Sequence, residues 1–203
     1  MAEVTTLFWD VGGVILTNGW DRSSRKLASE KFGLDWEEFQ DRHELSFPAF
    51  EMGELTLDQY LDRTIFYRAR SFSRDEFAAF MFAQSCELPE SRAVVSQLAR
   101  GCRYFLATIN NEPRELNQRR IEQFGLRKEF RAFFSSCYVR MRKPEAAIYK
   151  LALDVTQRDP QECVFIDDRA LNLECAGKLG MRTIHFQNAV QLEDELRRNG
   201  VAA

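Results

Sequence analysis

The 203-residue sequence predicts an α/β protein, a doubly wound parallel sheet with a helical segment set into it. Three observations carry that reading. Five short runs are apolar almost throughout and rich in β-formers, as strands buried on both faces are. Helical patterns separate the later runs, and strand–helix alternation builds a parallel sheet. One stretch, residues 17–86, is long and carries no strand signal.

In chain order the strands are TTLFW (5–9), RYFLATI (103–109), AFFSSCYV (132–139), CVFI (163–166) and RTIHF (182–186). The first leads into Asp10, then into Gly12 and Gly13, where the chain can turn sharply and approach a ligand. After the second strand, EPRELNQRRIEQFGL places Leu116, Ile121, Phe124 and Leu126 as the apolar positions of a helix. PEAAIYKLALDV follows the third strand and opens at Pro144, a residue suited to a first helical turn. RALNLECAGKLGM follows the fourth and closes on Gly180, a natural stop. The stretch 17–86 reads as helices over 22–32, 36–45, 56–67 and 74–85, punctuated by Gly33, Gly53 and Ser71–Ser73. It holds about half of the 17 phenylalanines, at spacings such as Phe77, Phe80 and Met81 that suit a helical core. The expected organisation is a Rossmann-like core of residues 1–16 and 87–203 and a helical domain of 17–86 over the carboxyl end of the first strand.

Composition narrows the function. At 45% hydrophobic and 29% charged the chain is ordinary globular protein. A net charge of −3 points to neither nucleic acid nor an anionic membrane. Residues 114–150 hold ten Lys/Arg against four Asp/Glu, and Arg119 and Arg131 there read as solvated helix faces. No secretory leader is evident and no apolar run approaches the ~18 residues of a membrane span, so a cytoplasmic location is expected. The five cysteines are odd in number and lack a CxxC, and they read as reduced, mostly buried thiols. With only His43 and His185, a His-rich zinc site is excluded.

Ligands of open α/β sheets bind beyond the carboxyl ends of the strands, so the residues presented there matter most. The first strand presents Asp10, and the second presents Thr108, Ile109, Asn110 and Asn111. Lys143 precedes a helix after the third, and the fourth ends on Asp167 and Asp168. Three carboxylates converging on one place repel unless a cation sits among them. Oxygen donors without His or Cys suit Mg²⁺. A cation of that kind also takes a phosphate, with Thr108 and the backbone N–H groups after it as donors and Lys143 as a point charge. Asp10 would then be placed to attack phosphorus as a nucleophile. Trp20 could stack on a substrate or pack under the helical domain.

Taken together these residues resemble the haloacid dehalogenase-like hydrolase superfamily along the whole chain. Asp10 matches its nucleophile, Thr108 its Ser/Thr motif, Lys143 its lysine, and Asp167–Asp168 its acidic pair. The stretch 17–86 is similar to the helical cap of the capped branch. The resemblance implies a Mg²⁺ held by Asp10, the Gly12 carbonyl and Asp168, with Asp167 as ligand or support. It implies a phosphatase of small phosphorylated molecules, monomeric or homodimeric, with phosphate on Thr108, Ile109, Asn110 and Lys143. Where the family's phosphatases carry a second Asp, a general acid, this chain has Gly12, as a branch of sugar-phosphate phosphatases does. Arg140 stands where glycine is common. The alternatives are a catalytically weak metal- and phosphate-binding interaction module, favoured by Gly12, and a haloacid dehalogenase, disfavoured by the acidic pair. Without an acid at position 12, the sequence leads to an expected preference for substrates with good leaving groups.

Overall fold

The computed structural model describes residues 2–202. After β1 (Thr6–Trp9) come four helices, α1 (Arg22–Phe32), α2 (Trp36–Glu51), α3 (Leu57–Thr64) and α4 (Arg74–Ala83). The chain then alternates: α5 (Pro89–Gly101), β2 (Phe105–Asn110), α6 (Arg114–Gln123), β3 (Ala132–Ser135), α7 (Ser136–Val139) and α8 (Ala146–Thr156). It finishes with β4 (Cys163–Asp167), α9 (Ala170–Lys178), β5 (Arg182–His185) and α10 (Ala189–Arg198). The strands are all parallel, in the order β3-β2-β1-β4-β5.

Strand β1 is central, and every one of its side chains is buried. Leu7 and Trp9 pack with Val95 and Leu98 of α5 and Leu192 of α10. Phe8 packs with Ile148 and Tyr149 of α8 and Ala176 of α9. Helices therefore cover both faces, which is why TTLFW carries no polar alternation. The edge strand β5 buries only Ile184 fully, so its run is less apolar in effect than its position suggested. The strand order reverses beside β1, and the crevice at the carboxyl ends of β1, β2 and β4 is the place such a sheet offers a ligand.

Several local expectations fail. The run AFFSSCYV stops being a strand at Ser135, and Ser136–Val139 is the short helix α7. Ser136 is held there from both sides, its Oγ donating to the Glu51 carbonyl at 2.7 Å and accepting from the Glu112 amide at 3.0 Å. Arg140 ends α7 at φ 57°, the left-handed region that explains why glycine suits this position. Pro144 does not open α8 either. Glu145 is the N-cap, and the helix begins at Ala146. The thiols differ too, since Cys86 and Cys102 are exposed while Cys137 and Cys163 are buried. Helices α5 and α10 had no counterpart in the expected pattern, although Pro89 at the start of α5 and the spacing of Val94, Val95 and Leu98 mark it. Helix α2 runs on past Pro48 to Glu51.

Helices α1–α4 have their own apolar core, with Phe39, Phe50, Tyr60, Leu61 and Phe77 buried together and Leu116 of α6 joining them. Asp21 caps α1 through a bond to the Ser24 amide, and Thr56/Gln59 and Ser73/Glu76 close capping boxes on α3 and α4. Chain entry and exit run side by side. The Thr17 amide donates to the Cys86 carbonyl at 2.9 Å, and the Thr17 hydroxyl donates to the Gln84 carbonyl at 2.8 Å. A second seam joins the far side to the sheet domain, where Leu57 N–H donates to Glu115 Oε1 at 3.0 Å. Trp20 packs against Phe39 and Phe77 rather than standing free, and its Nε1–H donates to Tyr60 Oη at 2.9 Å.

Tyr60 Oη lies 2.8 Å from His43 Nδ1, so a neutral imidazole with its proton on Nε2 accepts from the hydroxyl. Burial, reinforced by the nearby Arg25 cation, pushes the His43 pKa down from 6.5 to about 3. The folded state thus resists a proton that the unfolded chain accepts. Its contribution to stability is full above pH 6.5 and is lost progressively as pH falls toward 3. Between pH 7 and pH 5 the loss is expected to reach about 2 kcal/mol. Urea midpoints of the native protein and His43→Gln at the two pH values test this, with the variant expected to show the flatter dependence.

Candidate active site

Asp10 follows β1 directly, its amide fixed by the Ile166 carbonyl of β4 at 2.8 Å. Its Oδ1 accepts from the Val11 amide at 2.7 Å and lies 2.9 Å from Lys143 Nζ. Both bonds fall on Oδ1, so Oδ2 is the oxygen left for chemistry. Lys143 is 3% exposed and also donates to Asp167 Oδ2 at 2.6 Å. Burial alone would favour a neutral lysine, but the two carboxylates prevail and raise its pKa above the ordinary value. Burial, with Asp167 adding to it, raises Asp10 to about 7 against the pull of Lys143. Asp168 is raised as well, by burial and then by Asp167.

Asp167 is saturated. Its Oδ2 accepts from Lys143, its Oδ1 from the Arg169 amide at 2.8 Å, and Asn172 Nδ2 reaches both oxygens at 3.0 Å. It holds Lys143 and the start of α9 rather than offering a free oxygen. Asp168 is the opposite case, because its Oδ1 is buried and makes no hydrogen bond. Oxygens of Asp10, Asp167 and Asp168 lie within 4.8 Å of one another. One lysine among three carboxylates leaves an excess of negative charge in a buried place, a costly state without a further cation. The all-oxygen donor set and the unpartnered Asp168 oxygen fit Mg²⁺. Asp10, Asp168 and the carbonyl of Gly12, which lines the same cleft, are the residues that would hold it. Gly13 makes room for this arrangement. Its φ is 78°, and a Cβ there would press into the Asp168 carboxylate.

The residues at the end of the second strand differ in their surroundings. Thr108 pairs with Trp9, one residue short of Asp10, so by strand alternation it stands on Trp9's face. It is fully buried, and its hydroxyl has only Asn110 Oδ1 within reach, at 3.5 Å. Ile109 belongs to the core under β2. Asn110 is turned inward to Asn117 and Ser135. None of these three lines the cleft, whereas Asn111 does. Asn111 clamps Lys143 at two points, Nδ2 donating to its carbonyl at 2.9 Å and Oδ1 accepting from its amide at 2.8 Å. Only the position of an Asn at a strand end hinted at that role. The basic stretch is likewise mixed. Arg119 and Arg131 are exposed as expected, but Arg120 is buried in an ion pair with Glu112 and donates to the Thr17 carbonyl.

The cleft over Asp10 encloses about 590 Å³. The sheet domain supplies Asp10, Gly12, Lys143 and Arg169, and α1–α4 with the segment before them supply Trp20, Arg25, His43 and Glu51.

At the carboxyl edge of a doubly wound sheet the chain thus gathers a carboxylate, a lysine and an acidic pair. The profile of the haloacid dehalogenase-like hydrolases matches residues 4–180, and the chain belongs to that family. Bifunctional epoxide hydrolase 2 of Sus scrofa is 26% identical over 194 residues, 87% of this chain and 35% of that protein. Flavin mononucleotide hydrolase 1 of Arabidopsis thaliana is 37% identical over 68 residues, 34% of this chain and 28% of that protein. The chain thus spans about a third of the length of these two relatives. Among solved structures, the magnesium complex of the HAD family enzyme bt-2542 from Bacteroides thetaiotaomicron superposes with a TM-score of 0.77 at 22% identity. It covers 97% of this chain and 100% of that one. The same enzyme in complex with magnesium and inorganic phosphate gives 0.74 at 21% identity, covering 91% of this chain and 95% of that one.

The Gly13–Asp168 contact is testable without a substrate. Gly13→Ala is expected to weaken Mg²⁺ binding by about tenfold or more, read by calorimetry. Gly33→Ala is the control. Gly33 also has a positive φ, 61°, but nothing lies within 4 Å of its Cβ position. It should lose about 1 kcal/mol of stability and keep its metal affinity.

Proposed function

We propose that this protein is a Mg²⁺-dependent phosphatase of a small phosphorylated molecule, working through an aspartyl-phosphate on Asp10. The observation that carries the reading is the buried triangle of Asp10, Lys143 and Asp167 beside the unpartnered oxygen of Asp168. A structural ion pair needs one carboxylate per lysine, and this one keeps a third carboxylate waiting for a cation. The magnesium and phosphate bound by bt-2542 and the name of the Arabidopsis relative support the same class of reaction.

In this scheme Asp10 Oδ2 attacks phosphorus in line with the departing oxygen, and water later hydrolyses the aspartyl-phosphate. Lys143 offsets the charge of the phosphoryl oxygens, and Asn111 keeps that lysine in place. Of the residues expected to meet phosphate, Thr108, Ile109, Asn110 and Lys143, Lys143 lines the cleft. When bound, Mg²⁺ would neutralise the carboxylates and polarise a phosphoryl oxygen. Helices α1–α4 act as a cap that closes the reacting centre off from bulk water.

A screen of phosphorylated metabolites with and without Mg²⁺ tests the reading. Turnover should require the metal, and Asp10→Asn should abolish it while the variant still unfolds in one cooperative thermal transition. Full activity in excess chelator would instead favour dehalogenase-type chemistry. Phosphate and metal binding with no turnover of any compound would favour an interaction module.

A further inference from the structure

Position 12 leaves a chemical gap. The departing oxygen needs a proton unless it is already stable as an anion, and a side-chain acid contributes about 10²–10⁴-fold. Gly12 has no side chain, and the space beside it is taken. A Cβ there would lie 3.2 Å from Asn18 Oδ1 and 3.7 Å from Arg120 Nη1. The acid, if the chain has one, must come from elsewhere in the cleft.

Four carboxylates line the cleft outside the acidic cluster: Asp21, Glu44, Glu51 and Glu112. Asp21 is occupied as the N-cap of α1. Glu44 is exposed to solvent at the cleft's outer edge. Glu112 is locked to Arg120 in a buried ion pair. Glu51 differs from all three. Its side chain is 14% exposed, and its one ionic partner, Arg142, stands off at 3.4 Å and is itself 32% exposed. Its backbone is fixed on the sheet domain, since its carbonyl accepts from Ser136 Oγ at 2.7 Å. It is therefore a cap residue whose position is set by the core, next in space to the residue before Lys143.

Resting on the phosphatase reading above, we propose that Glu51 is the general acid and base of the reaction, supplied by the cap in place of a side chain at position 12. In the first step the Asp10 Oδ2–phosphorus bond forms and the bond from phosphorus to the leaving oxygen breaks. The Glu51 proton passes to that oxygen, releasing the alcohol and leaving a carboxylate. In the second step water adds to the aspartyl-phosphate, its proton returns to Glu51, and Asp10 and inorganic phosphate are released. The charged groups that act on Glu51 are Arg142, its ion-pair partner, and Lys143 from the loop before α8, Arg169 from the start of α9, and Glu112 from the loop after β2. Burial is the largest influence on it and, with Glu112, raises its pKa over the opposing pull of the three cations. A proton is thus available above the ordinary carboxylate range.

The assignment reverses the expectation drawn from Gly12 alone, because a supplied acid makes the rate insensitive to the leaving group. Single-turnover and steady-state rates on 4-nitrophenyl, phenyl and benzyl phosphate, with Mg²⁺, decide it. The unmodified protein should show a shallow dependence on leaving-group pKa and a fall in kcat/KM for benzyl phosphate at high pH. Glu51→Gln should lose about 10²–10⁴-fold on benzyl phosphate and lose that alkaline limb. On 4-nitrophenyl phosphate it should keep the first step and slow the second, giving a burst of nitrophenol. Glu51→Asp should restore part of the loss, and Glu112→Gln should lower stability with the shallow slope kept. A steep slope in the unmodified protein, an equal loss on all three esters in Glu51→Gln, or a slope steepened by Glu112→Gln overturns the assignment and leaves the phosphatase reading intact. Failure of the unmodified protein to release phosphate from any ester, or full release by Asp10→Asn, overturns the phosphatase reading and this assignment with it.

Discussion

Lys143 is the interaction on which the rest depends. Its ammonium is buried between Asp10 and Asp167, which belong to neighbouring strands and meet only because β1 and β4 are adjacent in the sheet. Removing one partner of a buried pair costs about 3–5 kcal/mol, because the group left behind is charged and unsolvated. The surroundings act to keep the pair whole. Asn111 grips the backbone of Lys143, Asn172 and the Arg169 amide complete Asp167, and the Val11 amide shares Asp10 Oδ1. Each of these groups sits at a strand end or the first turn of a helix, the only places where a buried sheet turns polar groups toward a ligand.

The same triangle sets the electrostatics. A single lysine cannot balance three carboxylates, so Asp10 and Asp168 are both raised in pKa, chiefly by burial. Asp167 takes the lysine, and Asp168 is left with a buried oxygen that nothing satisfies. That division of labour distinguishes two aspartates that look equivalent in the chain. It also explains Gly13, whose missing Cβ lets the loop after β1 lie against Asp168.

Helices α1–α4 gather round an aromatic core that Leu116 of α6 joins, and they are tied to the sheet on two sides. The paired connections at Thr17 and Cys86 make one attachment. The contacts of Glu51 and Leu57 with Ser136, Arg142 and Glu115 make the other. Gly53 lies so close to the Cys137 backbone that any side chain would part the two surfaces. The seam carries a polar lining to the edge of the cleft, and burial there gives Glu51 and Glu112 properties that neither would have in solvent.

The sequence by itself determined the architecture and the ends of three strands. Periodicity is local, so the apolar runs around Phe8, Leu106 and Phe165 and the strand-free stretch after Thr17 could be read without coordinates. Asp10 and the acidic pair stood out as well, because a charge at the tip of a buried strand is anomalous wherever it occurs, whereas Lys143 stood out only in combination with them. What the sequence could not supply was direction and partnership. Thr108 pairs with Trp9 and is fully buried, while Asn111 lines the cleft, and neither surrounding follows from the strand pattern. AFFSSCYV has strand composition to its last residue, yet it bends into α7 where the Glu51 carbonyl and the Glu112 amide hold Ser136 from outside. Nothing in the sequence singled out Glu51 or Arg120, and tertiary packing buries both side chains. Burial of a particular charge depends on residues distant in the chain, and that is the property only the folded structure decides.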